Sequence, residues 1–107
     1  MIRWPTRTAL ALSALFFAAA SQAQTPAKPA RLGLCAACHG ENGVATAPGI
    51  PNLAAQNREY LVAALRQYRA GERTAQAMRA VAGSLSDADI DGLAAWYAAQ
   101  PANGASR

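Results

Sequence analysis

The sequence predicts an all-α domain with three or four short helices arranged around one long loop. Apolar residues recur at helical spacing in the second half of the chain, and no segment alternates convincingly with a period of two. Residues 40–56 contain three glycines and two prolines and show no helical periodicity. A loop of seventeen residues is unusual in a small domain and is usually functional.

Capping and helix-breaking residues place the first two helices. A brief helix is predicted from Pro29 towards Cys38. Asn57 is suited to begin a longer helix, and Gly71 is suited to end it. The predicted apolar face of this second helix consists of Tyr60, Leu61, Ala64, Leu65 and Tyr68.

Two further helices are predicted towards the C-terminus. Thr74 is the predicted cap of a short helix that ends near Gly83. Ser86 and Asp89 have the spacing of a capping box at the start of the last helix, which Pro101 ends. The predicted buried stripe of this last helix consists of Ile90, Leu93, Ala94 and Tyr97.

The N-terminus has the pattern of a secretory signal peptide. Arg3 and Arg7 precede an apolar run over residues 9–20, and small residues at 21 and 23 predict cleavage after Ala23 and export to the periplasm. A membrane anchor is the alternative, but twelve apolar residues fall short of the roughly 20 that span a bilayer. We therefore expect a signal peptide at 1–23, a flexible leader at 24–30, a folded domain at 31–101 and a tail at 102–107.

The composition of the processed chain argues for a cofactor. Removing residues 1–23 from the 107 leaves 84, which carry eight basic and six acidic side chains. This small surplus gives no reason to expect nucleic-acid binding, which needs a clustered basic face. Domains of this size are marginally stable, and two cysteines can form only one disulfide bond, so a bound cofactor is the better source of stability.

The run Cys35-Ala36-Ala37-Cys38-His39 carries the clearest chemistry. Two cysteines three residues apart lie on one side of a helical turn, where they can form thioethers with both vinyl groups of one haem, and the adjacent histidine can bind its iron. A thioredoxin-like redox pair would need a βαβ setting, and a structural zinc site would need four ligands. A plain disulfide or thiol pair stays the main alternative to one covalent haem c.

The second iron ligand can be inferred from the composition. Processing leaves His39 as the only histidine and Met78 as the only methionine. Ligation by histidine and methionine raises the reduction potential and leaves no open iron position, which favours electron transfer over oxygen or peroxide chemistry. The alternatives are that Met78 only fills the core, or that the protein binds ligands at an open iron.

From residue 32 to residue 100 the sequence resembles a class I monohaem cytochrome c, nearest to the cytochrome c4 and c553 group. The resemblance rests on these stretches: Cys35-Ala36-Ala37-Cys38-His39-Gly40, Pro51-Asn52-Leu53-Ala54-Ala55-Gln56, Tyr60-Leu61, Tyr68-Arg69-Ala70-Gly71-Glu72-Arg73, Met78 and Leu85-Ser86-Asp87-Ala88-Asp89-Ile90. It implies the small class I cytochrome c fold for residues 31–101. In one departure, Ala55 stands where the c4-like pattern usually has glycine.

The resemblance also implies roles for individual residues. A proline carbonyl in the loop accepts the free N–H of the ligand histidine, and Pro48 matches that place best. Trp96 and Tyr97 are expected to pack the last helix against the first. The candidates for the haem pocket or the propionates are Gln56, Tyr60, Tyr68 and Arg73, each of which could equally be surface or ordinary core.

Two functions remain open at this point. The first is a free carrier, not an enzyme, that docks transiently with redox proteins at a haem edge near Arg58, Arg73 or Arg79 and has no stable membrane insertion. The second is a haem subunit or dedicated electron acceptor of an exported dehydrogenase, because the spacing from Gly71 to Met78 resembles that in the haem subunit of flavocytochrome c sulfide dehydrogenase.

Overall fold

The computed structural model describes residues 1–5, 13–19 and 25–103. Within these ranges the regular elements are four helices and no strand, which confirms the all-α prediction. The helices are α1 (Leu32–His39), α2 (Arg58–Ala70), α3 (Gln76–Ala82) and α4 (Asp87–Ala98). The long loop between α1 and α2 is present, as predicted.

The described N-terminal segments are exposed and form no helix. Residues 1–5 and 13–19 contain no regular element, and the large apolar side chains of Trp4, Phe16 and Phe17 are exposed. None of the helices in the described ranges combines the length and the apolarity that a bilayer crossing requires. The predicted cleavage site at Ala23, the first residue of the leader and residues 104–107 of the tail lie outside the described residues.

Helix α2 begins and ends where the sequence predicts. The side-chain oxygen of Asn57 accepts a hydrogen bond of 2.8 Å from the backbone N–H of Tyr60, which satisfies one of the free donors in the first turn. Gly71 ends the helix in a left-handed conformation with φ +79°. Glycine adopts this conformation without the steric cost that a Cβ atom imposes.

The third helix begins later in the chain than predicted. Thr74 was the predicted cap, but α3 begins at Gln76, and Ala75 stands at the cap position without a side-chain hydrogen bond. The Thr74 prediction is therefore wrong. The helix ends at Ala82, next to Gly83, as predicted.

The last helix has the predicted capping box. The Ser86 hydroxyl accepts a hydrogen bond of 3.0 Å from the Asp89 N–H, and the Asp89 carboxylate accepts one of 2.9 Å from the Ser86 N–H. The hydrogen bond from the Ser86 N–H is the largest cause of the lowered pKa of the Asp89 carboxyl, and the Ser86 side chain and the charge of Arg31 also lower it. This pair fixes the point at which α4 starts.

Ser86→Ala removes one half of the capping box and is expected to destabilise the protein by about 1 kcal/mol. Thr74→Ala is the matched control, because Thr74 does not cap α3, and it is expected to change stability by less than about 0.5 kcal/mol. Chemical denaturation of both variants beside the wild type measures the difference. Equal losses in the two variants would contradict the assigned caps.

The core lies where the four helices meet. Ile90, Leu93, Ala94 and Tyr97 of α4 are each at most 2% exposed, which confirms the predicted stripe. Helix α2 packs against both α3 and α4. The remaining buried apolar residues are Leu32, Cys35, Leu61, Ala82 and Leu85. Because Leu32 and Cys35 belong to this cluster, α1 shares its core with α4.

The loop at 40–56 is folded back on itself. The Gly43 carbonyl accepts hydrogen bonds from the N–H groups of Leu53 (2.7 Å) and Ala54 (3.0 Å). The side-chain oxygen of Asn52 accepts a further hydrogen bond of 2.7 Å from the Ala45 N–H. Residues 43–45 therefore lie against residues 52–54.

Two aromatic side chains of α4 hold the base of the loop. The Tyr97 hydroxyl donates a hydrogen bond of 3.0 Å to the carbonyl of Gly40, the first residue after α1. The indole N–H of Trp96 donates one of 2.8 Å to the Glu41 carbonyl. Both rings join the last helix to the end of the first, as the sequence predicts.

Ala55 completes the contact between the loop and α4. Its N–H donates a hydrogen bond of 3.1 Å to the Tyr97 carbonyl. With φ +58°, Ala55 is the one non-glycine residue of the described ranges in the left-handed region. This conformation gives a physical reason why the c4-like pattern has glycine there, since a Cβ atom costs about 1–2 kcal/mol in this region.

Candidate functional site

The candidate site is built around His39, the last residue of α1. This side chain is 6% exposed and is the one buried polar residue in the described ranges. Its Nδ1 lies 2.8 Å from the Pro51 carbonyl oxygen. A carbonyl can only accept, so Nδ1 donates, and in the neutral ring the proton resides on that nitrogen. The lone pair of Nε2 is then free to bind a metal.

The partner of His39 corrects the sequence prediction. Pro48 was expected to supply the carbonyl, but the structure places the carbonyl of Pro51 there. The reason lies in the fold of the loop, because Asn52 and Leu53 are hydrogen-bonded to residues 45 and 43. These contacts hold the residues beside Pro51 at the base of the loop, whereas Pro48 lies three residues further towards its tip.

Both cysteines lie on α1, where Cys35 is about one helical turn before His39 and Cys38 directly precedes it. Cys35 is 9% exposed and belongs to the core cluster, whereas Cys38 is exposed. Neither is in a disulfide bond. Burial raises the pKa of the Cys35 thiol, and the charge of Arg31 acts in the opposite direction. The segment thus presents two free thiols and one imidazole within five consecutive residues.

Met78 is the third residue of α3 and is half-buried. It lies beyond the long loop and α2 in the chain, 39 residues after His39. Its thioether is a soft ligand of the kind that binds haem iron opposite a histidine. Its role as an iron ligand stays a prediction.

The structure brings three of the four pocket candidates together. The Arg73 guanidinium carbon lies 4.6 Å from the centroid of the Tyr68 ring. The Tyr60 hydroxyl is the largest cause of the raised pKa of the Arg73 guanidinium, and Tyr68 contributes as well. The Gln56 side chain makes a different contact, because its oxygen accepts a hydrogen bond from the N–H of the neighbouring Asn57. We call the three residues the Tyr60–Tyr68–Arg73 cluster.

Comparison with known proteins assigns the family. The family model described as cytochrome c oxidase, cbb3-type, subunit III, matches residues 23–96. The chain is 42% identical over 73 residues to cytochrome c-554(548) of Halomonas halodenitrificans, an alignment that covers 65% of this chain and 88% of that protein. The chain belongs to the cytochrome c family. The four-helix arrangement is accordingly that of a small class I cytochrome c, with covalently bound haem c as cofactor and electron transfer as activity.

Other relatives of this cytochrome are larger proteins. It is 38% identical over 91 residues to cytochrome c4 of Pseudomonas aeruginosa, covering 85% of this chain and 44% of that protein. It is 37% identical over 107 residues to the thiosulfate dehydrogenase electron acceptor of Stutzerimonas stutzeri, covering 94% of this chain and 49% of that protein. The chain therefore spans less than half the length of these two relatives.

The residues present fit a haem c. Covalent attachment needs two unpaired thiols near an iron-binding histidine, and Cys35, Cys38 and His39 satisfy this requirement. The Pro51 carbonyl holds His39 in the tautomer that leaves Nε2 free, as outer-shell partners of metal-binding histidines do. Pro51 is the residue that sequence reasoning missed, although it begins one of the stretches that carry the family resemblance.

Proposed function

We propose that this cytochrome is an exported, periplasmic single-electron carrier with one haem c bound through thioethers to Cys35 and Cys38. His39 and Met78 are the proposed iron ligands. The observation that carries the proposal is the buried His39 ring with its Nδ1 held by Pro51, adjacent to two free thiols. When bound, the haem supplies a metal centre that takes up and releases one electron.

The chain's own residues keep the site suited to electron transfer. The hydrogen bond to Pro51 fixes the orientation of the His39 ring and increases its basicity as a ligand. Burial of His39 keeps water away from this side of the site. Met78, as the second ligand, fills the remaining iron position, so that oxygen and peroxide cannot bind there.

The Tyr60–Tyr68–Arg73 cluster is the proposed binding site for a haem propionate. The Arg73 guanidinium is charged at every physiological pH, and Tyr60 and Tyr68 raise its pKa further. A guanidinium with tyrosine hydroxyls nearby suits a carboxylate, which accepts several charge-assisted hydrogen bonds. Gln56 remains a candidate for the same environment on the strength of the family resemblance alone.

The attachment is tested by Cys38→Ala in cells that mature c-type cytochromes. One thioether is lost, so the pyridine haemochrome band is expected to shift towards the position for a haem that retains one vinyl group, and the yield of holoprotein falls. Ala37→Ser is the matched control, because it changes the exposed neighbour and leaves both thiols in place. A normal two-thioether spectrum in Cys38→Ala would overturn the proposal.

A second candidate function is that of a dedicated electron acceptor for an exported dehydrogenase. It is favoured by the relatives named thiosulfate dehydrogenase electron acceptor, one 39% identical over 97 residues and the other 37% identical over 107 residues. A dedicated acceptor should be reduced rapidly by one dehydrogenase only. A general carrier should be reduced by several unrelated donors, with rates that fall as salt weakens the electrostatic docking. Stopped-flow reduction of the purified haem protein by a panel of donors separates the two functions.

A further inference from the structure

We infer that the guanidinium of Arg31 raises the reduction potential of this cytochrome by placing a fixed positive charge beside the haem attachment segment. The inference rests on the proposed attachment of the haem at Cys35. Arg31 belongs neither to the attachment motif nor to the Tyr60–Tyr68–Arg73 cluster.

The position of Arg31 is defined by its place at the start of α1 and by one hydrogen bond of its side chain. Arg31 is the N-terminal cap residue of α1 and lies four residues before Cys35, about one helical turn away. Its Nη2 donates a hydrogen bond of 2.7 Å to the hydroxyl of Ser84, in the connection between α3 and α4. The guanidinium is thereby held between the start of α1 and this connection.

The charge of Arg31 is not neutralised by an ion pair. The two ion pairs in the described part of the chain join Lys28 to Glu41 and Arg69 to Asp87. The Nε atom of Arg31 is buried and has no hydrogen-bond partner in the described ranges. Because Arg31 is half-buried, its charge is screened less than that of a fully exposed side chain.

The field of this charge reaches the attachment site. The charge of Arg31 lowers the pKa of the Cys35 thiol, against the larger effect of burial. It also contributes to the low pKa of Asp89, whose carboxylate is held mainly by hydrogen bonds from Ser86. A charge that changes the electrostatic potential at the Cys35 sulfur also changes it at a haem bonded to that sulfur.

The consequence for the redox step follows from its charge balance. Reduction transfers one electron from a donor protein to the ferric iron, and the total charge of the site falls by one. A nearby positive charge therefore stabilises the ferrous state more than the ferric state. Arg31 itself gives up no proton and forms no bond in this step. Its removal should lower the equilibrium constant for reduction by about threefold to tenfold, and tenfold corresponds to 59 mV for one electron.

Two pairs of variants separate charge from packing. Arg31→Gln removes the charge and keeps an amide that can bond to Ser84, whereas Arg31→Lys keeps the charge. Ser84→Glu places a carboxylate beside the guanidinium and neutralises it, and Ser84→Gln is its uncharged control. Because Ser84 is exposed, the second pair gives a result even if Arg31→Gln fails to fold.

The experiment is a spectroelectrochemical titration of each purified haem protein, after a pyridine haemochrome has established that haem is attached. Arg31→Gln and Ser84→Glu are expected to lower the equilibrium constant by about threefold to tenfold, and Arg31→Lys and Ser84→Gln to stay within about twofold of wild type. Unchanged values in Arg31→Gln or Ser84→Glu, or equal falls within either pair, would overturn the inference. Absence of haem from the wild type would instead overturn the proposed attachment.

Discussion

Gly43→Ala is expected to destabilise the protein by about 2–5 kcal/mol, more than any surface change in the loop. A Cβ atom at this position would lie 2.5 Å from the Ala54 backbone nitrogen and 2.9 Å from the Ala54 Cα. Backbone atoms cannot move aside as a flexible side chain can, so the contact between the two halves of the loop must open. The left-handed φ of +75° contributes about 1–2 kcal/mol, and the forced overpacking contributes about 1–3 kcal/mol.

Gly49→Ala provides the matched control for this change. Gly49 has a nearly identical φ of +79°, but a Cβ atom there would meet nothing within 4 Å. The expected loss is therefore only the conformational cost of about 1–2 kcal/mol. Guanidinium denaturation of the two haem proteins measures both values. Equal losses would show that the close approach of Gly43 to Ala54 does not stabilise the loop.

Met78→Ala is expected to change the ligand chemistry of the iron. The variant loses the proposed second ligand, and the sequence offers no second histidine and no methionine other than Met1 to replace it. The ferrous protein should then bind carbon monoxide to near completion, whereas the wild type should bind almost none. The reduction potential should also fall, because the thioether ligand is what raises it. Absorption spectra of the reduced protein with and without carbon monoxide measure the effect.

The control for Met78→Ala is Val81→Ala on the same helix. Val81 is half-buried, as Met78 is, and its truncation removes apolar contacts of α3 without removing a sulfur. It should leave the iron closed to carbon monoxide. Carbon monoxide binding to both variants would show that loosening of α3 is enough to open the iron. Binding to neither variant would contradict the proposal that Met78 is an iron ligand.

The sequence predicts those features that depend on neighbouring residues. Asn57 bonds to an N–H three residues away, and Ser86 and Asp89 bond to one another over the same distance. Each of these contacts lies within one turn of helix, so the residue types and their spacing are sufficient to predict it. Thr74 fails as a predicted cap because side-chain type alone does not fix where a short helix begins, and α3 starts one residue later than a cap at Thr74 requires.

The proline that holds His39 could not be chosen from the sequence. Pro48 and Pro51 lie in the same loop, and either carbonyl could reach the ring if the loop were free. The choice is made by hydrogen bonds between Gly43 and Leu53, and between Ala55 and Tyr97. These contacts join residues up to 42 positions apart, and no local pattern encodes them.

Tyr60 illustrates a second limit of pattern reasoning. Helical periodicity places it on the apolar face of α2, yet it is 51% exposed, whereas Leu61 is 6% exposed. Periodicity gives the angular position of a side chain around the helix but not whether another element covers that part of the helix. The proximity of Tyr60 to Arg73 likewise depends on how the chain turns after Gly71.

The hydrogen bonds from Trp96 and Tyr97 also constrain when the site can form. They join α4 to Glu41 and Gly40, which lie 55 and 57 positions before Trp96 and Tyr97 in the chain. Synthesis from the N-terminus therefore completes the attachment segment, the loop and α3 before the side chains that hold the loop exist. A nascent chain that stops before Ser86 already contains every proposed haem ligand. It still lacks the Trp96 and Tyr97 hydrogen bonds that hold the base of the loop, so the loop that carries Pro51 is fully fixed beside α1 only in the finished chain.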